Sequence, residues 1–526
     1  MGIPYYFSYL IKTHTSIVHK LKEIKEVDNL YLDSNSIIYD SIDFKLFENK
    51  YQFENYIILN VIMKIEKLIK LINPKKNVFI TFDGVPPIAK LNQQKNRRYK
   101  SWFVNNILNK EVLWDTSAIT PGTLFMNKLN DTLENHFSKK KYNFHLLISL
   151  SNKPGEGEHK IFKYIRNNDH ILDKTIIYGM DADLIMLGLN HLKYCKQIYL
   201  FRETPHFINS LNSDMNHEEN YLLNINNLGK EIFKELNNKN TIVDDNTNIL
   251  PKITDYVFIC FLLGNDFLPH FPALNIRHNG FTILLELYKK LFGNNDKTII
   301  DKNKIIMENL KLFIKELALN ENKFIKEQYN IREKIEKKNY PVNSDEEKET
   351  SLNNTPSWER NIEKFINPYE NEWEFRYYYA LFEKNIDTDK NAIPTICNNY
   401  LQTLLWTYNY YTNDCNNWSF KYNYHYPPLL IDLFKHMPYF QSELVLEENY
   451  NIIHPHILLS YVLPKTSLHL LPENITNYLL TNYKNHFETN YEFAYSFCKY
   501  FWEGHVKFPN LDIEEFISKL NKIIVS

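Results

Sequence analysis

The sequence predicts an α/β fold, with a parallel sheet in its first part and a mainly helical, aromatic-rich second part. Two observations carry this. Over the first 290 residues, short apolar runs of strand length alternate with stretches whose apolar residues recur at helical spacing, the pattern of a parallel sheet covered on both faces. Beyond residue 358 the chain is rich in aromatic residues and shows no second alternation of that kind.

The elements follow in order. NLYLDSNSIIYDSI reads as a strand ending at Asp33, then a turn. ENYIILNVIMKIEKLIKLIN has helical periodicity, and KNVFITFDG is a buried strand stopped by Asp-Gly. FHLLISLS is a further strand. GEGEHKIFKYIRNN opens a helix with acids at its start and bases at its end, as the helix dipole favours. KTIIYGMDAD and KQIYLFRE are two more strands, and DYVFICFLLGND is apolar all round until it stops at Gly-Asn-Asp. Residues 1–329 are thus read as one domain, with a polar, Asn-rich surface insertion over about 211–250. Residues 330–357 are charged, poor in apolar side chains, and read as a flexible linker. Residues 358–526 form the second region.

A chain of 526 residues, 44% hydrophobic and 24% charged, can bury a full core, which excludes a disordered protein or a peptide hormone. The formal net charge of −2 is no signature of nucleic-acid binding, so any such contact must come from a local basic patch. Cys195, Cys260, Cys397, Cys415 and Cys498 are far apart, with no CxxC spacing, which argues against a zinc site or a disulfide framework and suits a reducing compartment. No apolar run approaches the roughly 18 residues of a membrane span. An intracellular protein is expected, cytoplasmic rather than nuclear, with no membrane partner.

Seven acids are expected at strand ends or helix starts: Asp33, Asp83, Glu156, Glu158, Asp181, Asp183 and Asp266. In an open α/β sheet the carboxyl ends of the parallel strands converge on one crevice. Acids gathered there repel one another and are tolerable only with bound cations. An all-oxygen donor set selects Mg²⁺ or Mn²⁺. Two such ions about 3.5–4 Å apart can activate water and stabilise a leaving oxygen in phosphodiester hydrolysis. Each acid also has a plainer reading: Asp33 as a helix cap, Asp83 as a turn residue, Glu156 and Glu158 as helix-dipole partners, Asp266 as part of a buried turn. Asp181 and Asp183, as Asp-x-Asp after an apolar strand, are the hardest to explain in that way.

KLNQQKNRRYK, residues 90–100, places Lys90, Gln94, Arg97 and Arg98 three or four apart, on one face of a helix. Two planar Arg forks with a Lys suit a terminal phosphate, although a solvated basic helix has the same composition. The run starts seven residues after Asp83, which brings it near the acids.

These motifs resemble, in order, those of the XRN family of 5′-to-3′ exoribonucleases. LDSNSIIY, FDGVPPIAKLNQQKNRR, SAITPGTLFMNKL, PGEGEHKIFKYIR, YGMDADLIMLGL and LGNDFLPHFPAL are similar to its first conserved region; WEFRYYYALF, LLWTYNYYTNDCNNWSFKYNYHYPPLLIDL, YVLPKTSLHLLP and FWEGHVKFP to its second. The resemblance implies a PIN-like, flap-nuclease-like first region closed over by the second, and a chain acting as a monomer on single-stranded RNA. It implies that the seven acids hold catalytic metal, two Mg²⁺ or Mn²⁺ ions, and that Lys90, Gln94, Arg97 and Arg98 bind a 5′-monophosphate. Asn35 is expected to support the site. Tyr39 stands where the family commonly has His, and with Trp418 or Phe420, in a Trp-Ser-Phe that departs from the family's Trp-Ser-Trp, it is expected to stack on RNA bases. His159 and His270, beside these motifs, are expected to be structural. The competing readings are a DNA flap endonuclease, which LGNDFLPHFPALNIRHNG disfavours because it lacks a Gly-x-Gly hairpin after Asp266, and an inactive RNA-binding scaffold, which retention of every acid disfavours.

Overall fold

The computed structural model describes residues 6–110, 112–179, 181–202, 215–216, 218–237, 243, 248–444, 446–487 and 491–525. Seven strands form one sheet: β1 (Val18–Lys20), β2 (Asn29–Asp33), β3 (Asn77–Thr81), β4 (His145–Ser149), β5 (Lys174–Tyr178), β6 (Gln197–Phe201) and β7 (Tyr221–Asn224), in the order β1-β7-β6-β5-β2-β3-β4. The five from β6 to β4 in that order run parallel. At one edge β7 is antiparallel to β6, and β1 is antiparallel to β7.

The strand order reverses between β2 and β5. From β2 the chain winds outward through β3 to β4, and from β5 it winds the other way to β6. Such a switch point opens a crevice at the carboxyl ends of the strands. The register sets Asp33, the last residue of β2, beside Thr81, the last of β3.

Strand alternation explains why both faces are covered. Leu30, Leu32, Val78, Ile80 and Ile176 pack with the helices Lys50–Ile72 and Leu124–Ser138. Tyr31, Phe79, Ile177, Ile198 and Leu200 point the other way, into a core that runs on through residues of the second region such as Leu404, Trp406 and Tyr410. The two sequence regions therefore share one continuous core. A third apolar cluster joins Val85, Ile88 and Leu91 to the helices Pro455–Val462 and Ile513–Val525.

Three expectations are corrected. Within 211–250, residues Tyr221–Asn224 are the edge strand β7 and Ile225–Leu236 is an amphipathic helix on the core, so this stretch is not a surface insertion. Much of the remainder of that stretch lies outside the described residues, as does the opening MGIPY. The segment 330–357 is not a structureless linker. The helix Met307–Glu336 runs into it, and a second helix, Asp345–Asn353, starts at a Ser344/Glu347 capping box. Buried Arg332 donates to Glu363 Oε2 (2.8 Å) and to the carbonyls of Pro356 and Cys498 (2.7 Å each), which ties the segment down. Finally, Asp266 follows a helix, Leu250–Cys260, and a 3₁₀ turn, rather than a strand. An element apolar all round is equally a buried helix.

Candidate active site

Four of the acids come from chain leaving the sheet's carboxyl edge. Asp33 closes β2, Asp83 lies two residues past β3, and Asp181 and Asp183 follow β5. Glu156 precedes, and Glu158 sits in, the first turn of the helix Gly157–Asn167, which begins after the β4 loop. Gly157 between them has a direct reason. A Cβ there would lie 2.5 Å from Asp33 Oδ1 and 2.9 Å from Thr81 Oγ1, while its N–H donates to Asp83 Oδ1 at 2.7 Å. Only glycine lets this helix start against the carboxylates. Gly264 has φ +87°, the left-handed bend that ends the 3₁₀ turn two residues before Asp266.

Asp33, Asp83, Glu156, Glu158 and Asp181 line a single cavity of about 820 Å³. Asn35, Tyr39, Lys90, Gln94, Arg97 and Arg98 line the same cavity. Asn35 supports the site as expected: its Nδ2 donates to Asp83 Oδ2 (2.6 Å), and the Asp83 N–H donates back to its Oδ1 (3.1 Å). Asp183 and Asp266 do not line that cavity. Both lie close enough to Lys90 to influence its charge.

Lys90 lines the cavity with Gln94, Arg97 and Arg98 and also pairs with acids. Its Nζ reaches Glu156 Oε2 at 2.6 Å and Asp266 Oδ2 at 2.8 Å. It sits in the first turn of the helix Ile88–Ile107, where the side chain points back toward the sheet. There it is the cation that offsets the acids. Arg98, one helical turn beyond Gln94, donates to Thr120 Oγ1 at 2.7 Å.

The electrostatics follow from burial and crowding. Burial first, then Asp83 and Asp181, pushes the Asp33 carboxyl well above the usual range. Burial and Glu156 push Asp83 up to about 6. Glu158 is raised by burial and then Glu156, and burial chiefly takes Asp183 up to about 6. Asp266 goes the other way: burial pulls it up, but the positive charges around it, Lys90 foremost and Arg97 among them, together take it down to about 2. Burial also keeps His159 neutral. Its ring stacks on Tyr410 at 3.8 Å, although it shares a cluster of possible ligand atoms with Glu156 and Glu158.

Two functional groups escape a sequence reading. On the helix Ala392–Thr412 of the second region, Tyr410 Oη donates to Glu156 Oε1 at 2.6 Å and Tyr411 Oη to Asp183 Oδ1 at 2.7 Å. The available signal was Tyr rather than Phe at buried positions, since a buried phenol hydroxyl needs a partner. The expected base-stacking pair is corrected in part. Tyr39 is half exposed and lines the cavity, but Trp418 and Phe420 do not line it. Phe420 is stacked near Trp406, and the Trp418 carbonyl accepts from Ile88 N–H, fixing the start of the basic helix.

Comparison with known proteins gives a consistent result. The family profile described as XRN 5′-3′ exonuclease N-terminus matches residues 1–204, and that described as Xrn1 helical domain matches 246–367 and 345–524. Among curated relatives, 5′-3′ exoribonuclease 1 of Homo sapiens is 28% identical over 90% of this chain and 31% of its own length. That of Saccharomyces cerevisiae is 32% identical over 60% of this chain and 22% of its own length. 5′-3′ exoribonuclease 2 of Arabidopsis thaliana is 24% identical over 90% of this chain and 62% of its own length. The chain thus spans less than two thirds of the length of each.

Proposed function

Because this chain belongs to the XRN 5′-3′ exonuclease family, we propose that it is a metal-dependent, processive 5′-to-3′ exoribonuclease acting on single-stranded RNA with a 5′-monophosphate end. The observation that carries the reading is the shared cavity, lined both by five acids and by Gln94, Arg97 and Arg98. Acids alone would fit many metal sites, and arginines alone would fit many anions. Together they fit a substrate whose terminal phosphate is held while its next phosphate is cut.

The donor set fits hard divalent cations. It is all carboxylate oxygen, and burial together with mutual repulsion pushes Asp33, Asp83 and Glu158 toward protonation, a cost that Mg²⁺ or Mn²⁺ would relieve. Asp33, Asp83, Glu156, Glu158 and Asp181 would hold the ions from the cavity wall, with Asp183 and Asp266 completing the charge behind them. Bound there, two such ions would lower the pKa of water and neutralise charge at the scissile phosphate.

The chain's own residues supply the rest. Arg97 and Arg98 offer planar N–H forks for the terminal phosphate, with the Gln94 amide between them. Tyr39 offers a ring for the first base. Lys90 holds Glu156 and Asp266 in place and supplies one positive charge beside the acids. Hydrolysis places the water oxygen on the first internucleotide phosphorus and breaks its bond to the 3′-oxygen. A nucleoside 5′-monophosphate leaves with a 3′-hydroxyl. The new end carries a 5′-monophosphate, which can refill the arginine pocket, so direction and processivity follow from a regenerated handle. All seven acids and both arginines come from one chain, so a monomer suffices.

The test uses one single-stranded RNA in 5′-monophosphate, 5′-triphosphate and 5′-hydroxyl forms, each with Mg²⁺ or EDTA, and resolves products at nucleotide level. Mononucleotides released from the monophosphate form alone, and only with metal, support the proposal. Internal cuts, or preference for branched DNA in a parallel lane, would replace it with a flap-nuclease activity. No cleavage of any form would leave an RNA-binding scaffold.

A further inference from the structure

A second cavity, of about 530 Å³, lies on the other side of the basic helix Ile88–Ile107. It is within the ~300–1,000 Å³ typical of small-molecule sites. Gln93 and Arg97 line both this cavity and the acidic one, so the two adjoin through a single helix.

Its chemistry is that of an anion site. Lys95 is 5% exposed, lines the cavity, and has no hydrogen bond or ion pair among the described residues. Its ammonium instead sits 4.1 Å from the Phe508 ring centroid and 4.6 Å from that of Tyr461. Lys421, also on the cavity wall, has no acidic partner among the described residues either, and is near enough for its charge to act on Lys95. Burial together with this like charge takes the Lys95 ammonium down to about 7. The two acids on the wall are already engaged, Asp266 by Lys90 and Glu503 by Arg277. Asn265 adds a buried Nδ2 donor with no acceptor among the described residues. A buried and a partly buried cation facing one space without a counter-charge are unfavourable, and a bound dianion would relieve both.

The wall is also aromatic. Tyr422, Tyr424, Trp502 and Phe508 contribute rings, and His425 stacks on His505 at 5.2 Å. Burial holds both of these imidazoles neutral. Flat rings beside unpaired cations fit a base attached to a phosphate, rather than phosphate alone.

We propose that this cavity is a second nucleotide site, which takes the nucleoside 5′-monophosphate leaving the acidic cavity. The identity of that ligand rests on the exoribonuclease reading. The site itself rests on Lys95, Lys421, Asn265 and the rings around them. Its use would be to let product leave away from incoming RNA, since the arginine pocket must be vacated before the next end can dock.

The experiment is equilibrium dialysis of the full chain with AMP in EDTA, where nothing is cleaved and the acids hold no metal. Adenosine and inorganic phosphate form parallel arms. The expected result is an AMP site that survives Arg98→Ala and weakens at least tenfold in the double variant Lys95→Met, Lys421→Met. Adenosine and phosphate should each bind at least tenfold more weakly than AMP. Phosphate binding as well as AMP would overturn the nucleotide assignment, and AMP binding lost in Arg98→Ala but intact in the double variant would overturn the site. Should the double variant fail to fold, 8-azido-AMP photolabelling of the unaltered chain decides. Label within 421–426 or 502–511 supports the site, and label confined to the acidic cavity refutes it. Because only binding is read, a chain that degrades no RNA can still pass.

Discussion

Removing one hydroxyl tests whether the second region tunes the metal site of the first. Tyr411→Phe deletes the donor to Asp183, and Tyr410→Phe the donor to Glu156. Both rings keep their packing: Tyr410 lies 3.8 Å from His159 and 5.0 Å from Trp406, and Tyr411 lies 5.0 Å from Phe261. The change is therefore electronic and orientational, with no cavity left behind. Bonds of 2.6–2.7 Å to a carboxylate in a buried site are charge-assisted, and such bonds contribute about 1.5–3 kcal/mol. At 1.4 kcal/mol per tenfold, that corresponds to roughly 10–150-fold in the equilibrium the carboxylate serves. Loss of a partner that orients a metal ligand typically costs about 10–100-fold in metal affinity or activity, an overlapping range. Each variant should raise the Mg²⁺ concentration for half-maximal cleavage at least tenfold, with most of the rate recovered at saturating Mg²⁺. The assay is initial rate against Mg²⁺ on 5′-monophosphate RNA. Tyr408→Phe is the control, on the same helix but with its hydroxyl on no carboxylate of the site. An unmoved midpoint in both variants, or an equal shift in the control, would refute the positioning role.

Three other outcomes are expected. Arg98→Ala should cut the preference for 5′-monophosphate over 5′-hydroxyl RNA by about 10–100-fold, the worth of charge-assisted bonds of about 1.5–3 kcal/mol, read by competition between the two RNAs; an unchanged ratio would remove Arg98 from the phosphate pocket. Gly157→Ala drives a methyl group to 2.5 Å from Asp33 Oδ1, and a displacement of about 1 Å at such a site can cost ~100-fold, so kcat should fall by about that factor; wild-type kcat would contradict the packing. The apparent Mg²⁺ affinity should rise with pH through about 6, by up to about tenfold per pH unit for each acid deprotonated, because Asp83 and Asp183 are both pushed up to about 6, Asp33 and Glu158 are raised as well, and each must lose its proton to bind metal. The sign for bare stability is mixed. Raised carboxyls contribute stability that is lost as pH climbs through about 6, whereas buried neutral His191 and His425, pushed down to about 3 and about 4, contribute stability that is lost as pH falls through those values. The measurement is therefore the Mg²⁺-induced shift in melting temperature at pH 5 and pH 7.5, and an equal shift at both would overturn the linkage.

What the sequence discloses is what is local. Three of the parallel strands, β2, β3 and β5, end where apolar runs meet Asp or Gly, so the position of Asp33, Asp83 and Asp181 at the sheet's edge is legible from period and punctuation alone. What it hides depends on partners far along the chain. Arg332 and Glu363 are 31 residues apart and each looks like a solvated charge, yet they meet in the interior, where Glu363 also accepts from Arg360. Composition counts charges and is blind to pairing, so a docked segment reads as a linker. Glu321 shows the same effect: it is buried, and it accepts from the N–H groups of Leu430 (2.7 Å) and Ile431 (3.0 Å), capping a helix more than a hundred residues away. The ion pairs of Lys90 are hidden for a related reason. Helical spacing assigns it to a face with Gln94 and Arg97, but its position in the first turn, closest to the sheet, decides which charges it meets. The same reasoning bears on the site as a whole. Acids from the first region are held by hydroxyls from the second, and the second region's core is continuous with the sheet. A fragment ending before residue 392 would keep all seven carboxylates and lose the two phenols that donate to Glu156 and Asp183, so the acidic motifs by themselves do not define the complete site.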